Sequence, residues 1–202
     1  VVIDPVFPRF NPFGFRTNEI HQYFKMLPEF KSYAMHPMSA GENAWFNHGY
    51  GIDEETFKKN RDSYLQYYPE NKDKVRYLDP HKKYNIQLAY SFFLGETHTL
   101  LPFYEKHQID FVFVLYPGGG FGLDFVGSEI MLREIFNSKH FKKVIVTRNV
   151  TYNYLINKKL CNPEKIEILN GLGVQFTEKD VIKKKYYKQD KNTFDICFVA
   201  AK

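Results

Sequence analysis

The 202-residue chain is long enough for one α/β domain with a substantial core, and it is shorter than two domains would require. Hydrophobic residues make up 44% and charged residues 25%, which excludes a disordered chain or a coiled coil. The net charge of +5 is mild, and the sequence carries no helix-turn-helix, RNA-recognition or zinc-finger signature, so nucleic-acid binding is disfavoured.

Short apolar runs alternate with amphipathic stretches, a pattern typical of βαβ units. It predicts strands at residues 1–7, 32–36, 75–78, 111–116, 143–147 and 165–169. Helices are predicted at residues 17–27, 54–68, 92–107, 124–136 and 150–160. We therefore expect an α/β fold, a Rossmann-like open parallel sheet with helices on both faces. The strand at 111–116 should be central, because it is apolar on both of its faces.

The segments between and after these elements lack periodicity. Residues 38–50 are predicted to form a long loop on the rim of the sheet. Residues 177–193, rich in Lys, Tyr and Asp, are predicted to be a linker, and 194–202 to begin a further strand. We expect the chain to be part of a longer polypeptide, because it opens directly in a strand and stops just after another has begun.

Localisation is inferred from what the sequence lacks. Cys161 and Cys197 have no spacing that suggests a disulfide framework or a metal site, which favours a reducing cytosol. The seven histidines have no metal-ligand spacing, and no signal peptide or apolar run of about 18 residues is present. Lys183, Lys184, Lys185 and Lys188 could contact an anionic membrane surface or form an ordinary solvated face.

A glycine-rich turn follows the strand at 111–116. Pro117 is succeeded by Gly118, Gly119, Gly120 and Phe121, and a helix comes next. Such a turn lets a ligand approach the backbone, and the helix N-terminus favours an anion. The dinucleotide fingerprint is not met, because its third glycine is missing, and no Gly-Lys-Ser/Thr follows as in a P-loop. The alternative is that the glycines only form a sharp turn.

A second candidate lies after the first strand. Arg9, Asn11, Gly14 and Arg16 stand between that strand and its helix. The two arginines could bind a phosphate or carboxylate through paired hydrogen bonds, or they could form ordinary surface salt bridges.

A third candidate, Arg148 and Asn149, follows the strand at 143–147. The carboxyl ends of parallel strands share one edge, so we expect all three groups to line one cleft. Arg9, Arg16 and Arg148 would give this cleft a positive potential suited to a lipid phosphate or a nucleotide diphosphate.

The stretch at 142–176 carries a family resemblance. It reads KKVIVTRNVTYNYLINKKLCNPEKIEILNGLGVQF and resembles the end of the N-terminal domain in retaining GT-B glycosyltransferases of the family 4-like group, also called group 1. In that family a strand of the form "vi-x-v-S/T" enters a helix, a short turn follows, and a strand of the form "KI-x-v-i-x-N-G-v" leads to a Phe. The corresponding parts are residues 144–147, 149–160, 162–164, 165–169, Asn170-Gly171 and Phe176.

The resemblance implies a division of the chain and an activity. Residues 1–176 would be the acceptor-side N-terminal domain, 177–193 the linker with Asn170 and Gly171 at the hinge, and 194–202 the first strand of a donor-binding domain. The whole protein would be a hexosyltransferase without a cofactor, moving sugar from a nucleotide-sugar donor to a saccharide or lipid-linked acceptor in polysaccharide or glycan synthesis. It would work in the cytoplasm or at the inner face of the membrane.

Two family features have no counterpart here, so no catalytic residue is carried over. The family's paired glutamates lie in its second domain, so the resemblance implies that this chain is inactive by itself. The family's histidine-bearing strand, which precedes the "vi-x-v-S/T" strand, is also missing. The alternative function is a non-catalytic Rossmann-like module that binds a nucleotide or phosphate through the glycine turn.

Overall fold

The computed structural model describes residues 1–5, 7–9, 15–27, 29, 31–34, 51–79 and 82–169. These residues contain seven strands: β1 (Val2–Asp4), β2 (Ser32–Ala34), β3 (Val75–Tyr77), β4 (Leu88–Phe92), β5 (Asp110–Leu115), β6 (Phe141–Val146) and β7 (Ile166–Ile168). They form one sheet in the order β3-β2-β1-β4-β5-β6-β7, and every neighbouring pair is parallel. The predicted Rossmann-like parallel sheet is confirmed.

The same residues contain five α-helices: α1 (Phe15–Met26), α2 (Glu54–Tyr67), α3 (Leu94–His107), α4 (Val126–Asn137) and α5 (Asn149–Asn157). Helix α2 begins after Asp53, whose side chain accepts the Thr56 N–H at 2.7 Å and caps the first turn. Helix α3 ends at Gln108, which adopts the left-handed conformation common at helix C-termini. Four of the five helices lie within two residues of their predicted limits, and α5 ends three residues before its predicted end at 160.

The helices cover both faces of the sheet, as predicted. Ile20 of α1 and Tyr64 of α2 pack in a cluster with Val2 and Val114 from one face. A second cluster joins the other face to α3, α4 and α5 through buried side chains. Its members include Ile3, Phe113, Val144, Leu100, Tyr104, Met131, Leu132 and Leu155.

Strand β5 has an interior position, with β4 and β6 as its neighbours. Phe111, Phe113 and Leu115 belong to one cluster and Val114 to the other, so the strand is buried on both faces. This agrees with the apolar run that predicted it. The middle strand of the seven is nevertheless β4, one place away.

Strand β4 was missing from the sequence prediction, which began a helix at residue 92. The run Leu88-Ala89-Tyr90-Ser91-Phe92 continues into α3 through the single residue Phe93. Phe93 makes the turn with φ 56° and ψ 156°, a conformation that other residues than glycine rarely adopt. Because no Gly, Pro or Asn marks the boundary, strand and helix read as one apolar segment.

Several sequence predictions fall outside the described residues. They are the loop at 38–50, the linker at 177–193, the strand at 194–202, and the site and hinge residues Asn11, Gly14, Asn170 and Gly171. Among the helices of the described part, each is too short or too polar to cross a membrane.

Candidate functional site

The order of the strands reverses between β1 and β4, the position at which open α/β sheets form a crevice. From β1 the chain continues to β2 and β3 on one side, whereas β4 to β7 lie on the other. In open α/β sheets, ligands bind outside the carboxyl ends of the strands at such a reversal. The candidate site is therefore at the ends of β1 and β4, beneath the first turns of α1 and α3.

An arginine and two carboxylates occupy this position and are named the ion cluster here. Arg16 in the first turn of α1 lies 3.1 Å from Asp4 at the end of β1 and 3.1 Å from Glu96 in the first turn of α3. The Asp4 side chain is fully buried and also accepts the Phe7 N–H at 2.7 Å. The Arg16 guanidinium lies 5.1 Å from the centre of the Phe93 ring, within cation–π range.

A second group adjoins the ion cluster on the α1 side of the sheet. Glu19, one helical turn after Arg16, accepts hydrogen bonds at a single oxygen from the Tyr23 hydroxyl at 2.6 Å and the Tyr90 hydroxyl at 3.1 Å. Tyr116, the residue after β5, also hydrogen-bonds the Glu19 carboxyl through its hydroxyl. The three tyrosines around Glu19 are named the hydroxyl cluster.

Burial controls the ionisation of these groups. It raises the pKa of Glu96 from 4.5 to about 8, against the attraction of Arg16, which lowers it. Burial also raises the pKa of Glu19, against hydrogen bonds from Tyr23 and Tyr90. For Arg16, burial lowers the pKa, but attraction to Asp4 and Glu96 outweighs it, so the guanidinium stays charged. One cation thus faces three buried carboxyls, and Glu96 holds a proton at neutral pH.

The raised pKa of Glu96 predicts a pH-dependent stability. The folded protein keeps this proton up to about pH 8, whereas the unfolded chain releases it near 4.5. The folded state therefore binds more protons in that interval, and the stabilisation is lost as pH rises through about 8. Urea unfolding at about pH 6 and 8.5 should show a fall in the free energy of unfolding.

Glu96→Gln, which imitates the protonated form, should show a smaller fall over the same interval. The lowered pKa of His21 contributes equally to both proteins, since burial acts on it in each. Equal slopes in the two proteins would contradict a proton on Glu96.

The glycine turn packs against the start of α3. The Gly119 carbonyl accepts the Gly95 N–H at 2.9 Å, and Gly118 and Phe121 exchange two backbone hydrogen bonds. The Ser128 hydroxyl donates to the Gly120 carbonyl at 2.9 Å. A Cβ on Gly120 would come within 3.1 Å of the Gly95 nitrogen. The glycines therefore permit close packing on α3 and also leave Gly118 and Gly119 exposed at the rim.

The first turn of α3 is poorly suited to an anion. Of its amide groups, that of Gly95 is already bound to the Gly119 carbonyl. Glu96 adds a carboxyl to the same turn, and Asp4 lies near it through Arg16. A phosphate at this helix terminus would lose one donor and meet acidic neighbours.

The structure brings part of the predicted site to one edge of the sheet. Arg16, the glycine turn and Arg148 with Asn149 all follow carboxyl ends of parallel strands. Arg148 and Asn149 are exposed at the start of α5, and Arg9 is exposed after β1. Phe121 is buried against Tyr154, so its side chain belongs to the core. Arg16 is paired with Asp4 and Glu96, and the sequence did not predict either contact.

Sequence reasoning missed the acidic and phenolic members of the site. Asp4 ends the first strand, and Arg16, Glu19 and Tyr23 have the i, i+3, i+7 spacing of one helix face, which could have indicated them. Tyr90 carried no such signal, because the strand β4 that contains it was not predicted. Glu96 lies within the predicted helix at 92–107, but nothing in the sequence paired it with Arg16.

Comparison with known proteins adds no family or relative. No protein-family model matches the sequence, and no curated protein matches it. Within the described ranges, no group of three His, Cys, Asp or Glu side chains is placed to hold a metal ion. The functional interpretation therefore rests on the geometry of the crevice and on the residues that line it.

Proposed function

We propose that the chain is the acceptor-side domain of a retaining GT-B glycosyltransferase, which moves a sugar from a nucleotide-sugar donor to a saccharide or lipid-linked acceptor. The observation that carries the proposal is the crevice between β1 and β4, with its buried ion cluster. The resemblance at 142–176 supports it, since β6, α5, a short turn and β7 follow one another in the order that the family uses.

In the proposed enzyme, a donor-binding domain closes over this edge of the sheet. Closure would exclude water from the glycosyl transition state and orient an acceptor hydroxyl for attack. The ion cluster provides a rigid wall, because Arg16 is fixed on both sides. Arg9, Arg148 and Asn149 are exposed at the rim and are the polar side chains that an approaching substrate would meet first.

The proposal predicts that the rim arginines matter for transfer. In the polypeptide encoded by the complete reading frame, Arg9→Ala and Arg148→Ala should each lower kcat/KM about tenfold, the loss of one charge-assisted hydrogen bond. Release of UDP or GDP from a panel of nucleotide sugars measures the rate. Arg133→Ala, on the exposed middle of α4, is the matched control and should leave the rate unchanged. If the unmodified protein releases neither UDP nor GDP from any nucleotide sugar in the panel, the proposed enzyme activity is rejected.

The alternative is a non-catalytic module that binds a nucleotide or phosphate, and the exposure of Gly118 and Gly119 favours it. Titration calorimetry of the 202-residue chain with UDP-glucose and GDP-mannose separates the two functions. The acceptor-side domain should bind both weakly, with Kd above about 1 mM, because the donor site lies elsewhere. Micromolar affinity would favour the binding module.

The same proposal places the enzyme in the cytoplasm, at the inner face of the membrane. It is supported by the lysine cluster at 183–188 beside Tyr186 and Tyr187, which is suited to anionic headgroups.

A further inference from the structure

The C-terminal half of α1 is joined to α2 by a short chain of hydrogen bonds. The Nε2 atom of His21 in α1 lies 2.7 Å from the Tyr64 hydroxyl in α2. The Asn71 amide, in the turn Pro69–Asn71 that follows α2, donates to the same hydroxyl oxygen at 2.9 Å. Tyr64 is fully buried, Asn71 is 6% exposed and His21 is half-buried. These three residues are named the His21 network.

The direction of these hydrogen bonds determines which nitrogen of His21 carries a proton. The Tyr64 hydroxyl has a single proton, and its oxygen already accepts from Asn71. In the described part of the chain, the one other polar atom that meets this hydroxyl is Nε2 of His21. The Tyr64 proton therefore points at Nε2, which must be unprotonated to accept it. His21 is then neutral, with its ring proton on Nδ1.

A proton on Nε2 would leave the His21 network with one donor too many. The imidazolium donates at both nitrogens, so Nε2 and Asn71 would both donate to the Tyr64 oxygen. The hydroxyl proton of Tyr64 would be left without an acceptor, and water cannot replace one because Tyr64 is 0% exposed. A buried donor without an acceptor destabilises the folded state. Protonation of His21 therefore weakens the contact between α1 and α2.

The surroundings of His21 also favour its neutral form. Burial lowers the pKa of His21 below its usual 6.5, and Lys25, one turn further along α1, lowers it again, whereas Glu70 raises it. The rings of Tyr64 and Tyr68 pack against the imidazole, with centroids at 5.5 and 4.1 Å. The ring is thus enclosed by α2 on the side where the extra proton would have to be placed.

We infer that the His21 network is a pH-sensitive contact, which holds the C-terminal half of α1 against α2 while His21 is neutral and releases it when His21 is protonated. The first turn of α1 is held separately, because Arg16 pairs with Asp4 and Glu96. Release is therefore expected from Ile20 onward. This device does not depend on the proposed sugar transfer.

The contact is lost on the acid side. An exposed histidine has a pKa of about 6.5, and His21 in the contact has a lower one. The released helix therefore binds more protons than the packed helix, so a fall in pH below about 6.5 shifts the balance towards release. Above that pH the contact is fully formed.

The position of the proton is tested by NMR on the 202-residue chain with ¹⁵N-labelled histidine. At about pH 7.5, well above the ordinary pKa of histidine, the His21 ring should show a protonated Nδ1 and an unprotonated Nε2. The ring is assigned through its own backbone amide, so no variant is needed. A proton on Nε2 at this pH would overturn the inference.

Release is measured by hydrogen–deuterium exchange of the amides at 20–26, corrected for the intrinsic effect of pH. Between about pH 7.5 and 5.5 their protection should fall about tenfold, a factor that matches the cost of one buried donor without an acceptor. Helix α4 packs on the other face of the sheet, so its amides should keep their protection. Unchanged protection at 20–26, or an equal fall in α4, would contradict a local release of α1.

His21→Gln keeps an acceptor near the position of Nε2 but takes up no proton in this pH interval. Protection at 20–26 should then be independent of pH. His98→Gln is the matched control, because His98 is also a half-buried helix histidine but pairs with Glu134 between α3 and α4. It should retain the tenfold fall. A fall in His21→Gln as large as in the unmodified chain would overturn the inference, and if that variant does not fold, the proton position on the unmodified His21 ring decides.

Discussion

Replacing Arg16 with Ala is expected to lower the free energy of unfolding by about 3–5 kcal/mol, the cost of breaking a buried ion pair by removing one partner. Arg16 is the only cation that the described residues place against the buried carboxyls of Asp4 and Glu96. Its loss leaves Asp4 without a counter-charge and Glu96 without its hydrogen-bond donor, and it removes the cation–π contacts with Phe92 and Phe93. Urea unfolding at neutral pH measures the effect.

Arg133→Ala on the exposed face of α4 is the control and should change the free energy by less than about 0.5 kcal/mol. Combining Arg16→Ala with Asp4→Asn should recover part of the loss, since the buried carboxylate is then removed together with its partner. If Arg16→Ala unfolds at the same urea concentration as the unmodified chain, the ion cluster does not join α1 to α3.

Gly119→Ala is expected to lower the free energy of unfolding by about 2–4 kcal/mol, combining a strained backbone with overpacking. Gly119 has φ 55°, and an added Cβ would lie 2.5 Å from the Phe93 ring and 2.7 Å from the Phe93 Cβ. Phe93 has little room to yield, because its own backbone is fixed in the turn between β4 and α3. Urea unfolding reports the loss.

Gly118→Ala separates the two causes. Gly118 also has a positive φ, of 83°, but an added Cβ would meet no atom within 4 Å. It should cost only the backbone term, about 1–2 kcal/mol. Equal losses in the two variants would show that contact with Phe93 is unimportant and that the glycines serve only the turn.

The sequence predicted the fold well where periodicity and burial agree. The apolar run at 111–116 is compatible only with a buried strand, and the periodicity at 54–68 only with an amphipathic helix. The structure contains both elements. Strand β4 was missed because it ends at Phe93 and not at a glycine. A phenylalanine in the sequence gives no indication that its backbone will adopt a positive φ. The order of the strands, and with it the crevice, depends on that strand.

The sequence predicted where the candidate site lies, but not which residues form it. Arg16 was identified as a group at the edge of the sheet, and the structure places it there. Its partners are distant in sequence: Asp4 is 12 residues before it and Glu96 is 80 residues after it. A single sequence shows a charged residue and its helix face, but it does not show which buried carboxyl will neutralise it.

The single-residue connection between β4 and α3 fixes one wall of the crevice directly to the sheet. Helix α3 follows the sheet without a loop, and the glycine turn is bonded to its first turn, so that wall cannot retreat without bending the sheet. Arg16 holds α1 to the same wall through Glu96 and to β1 through Asp4. A ligand at this edge would therefore be measured against α3 as a fixed stop.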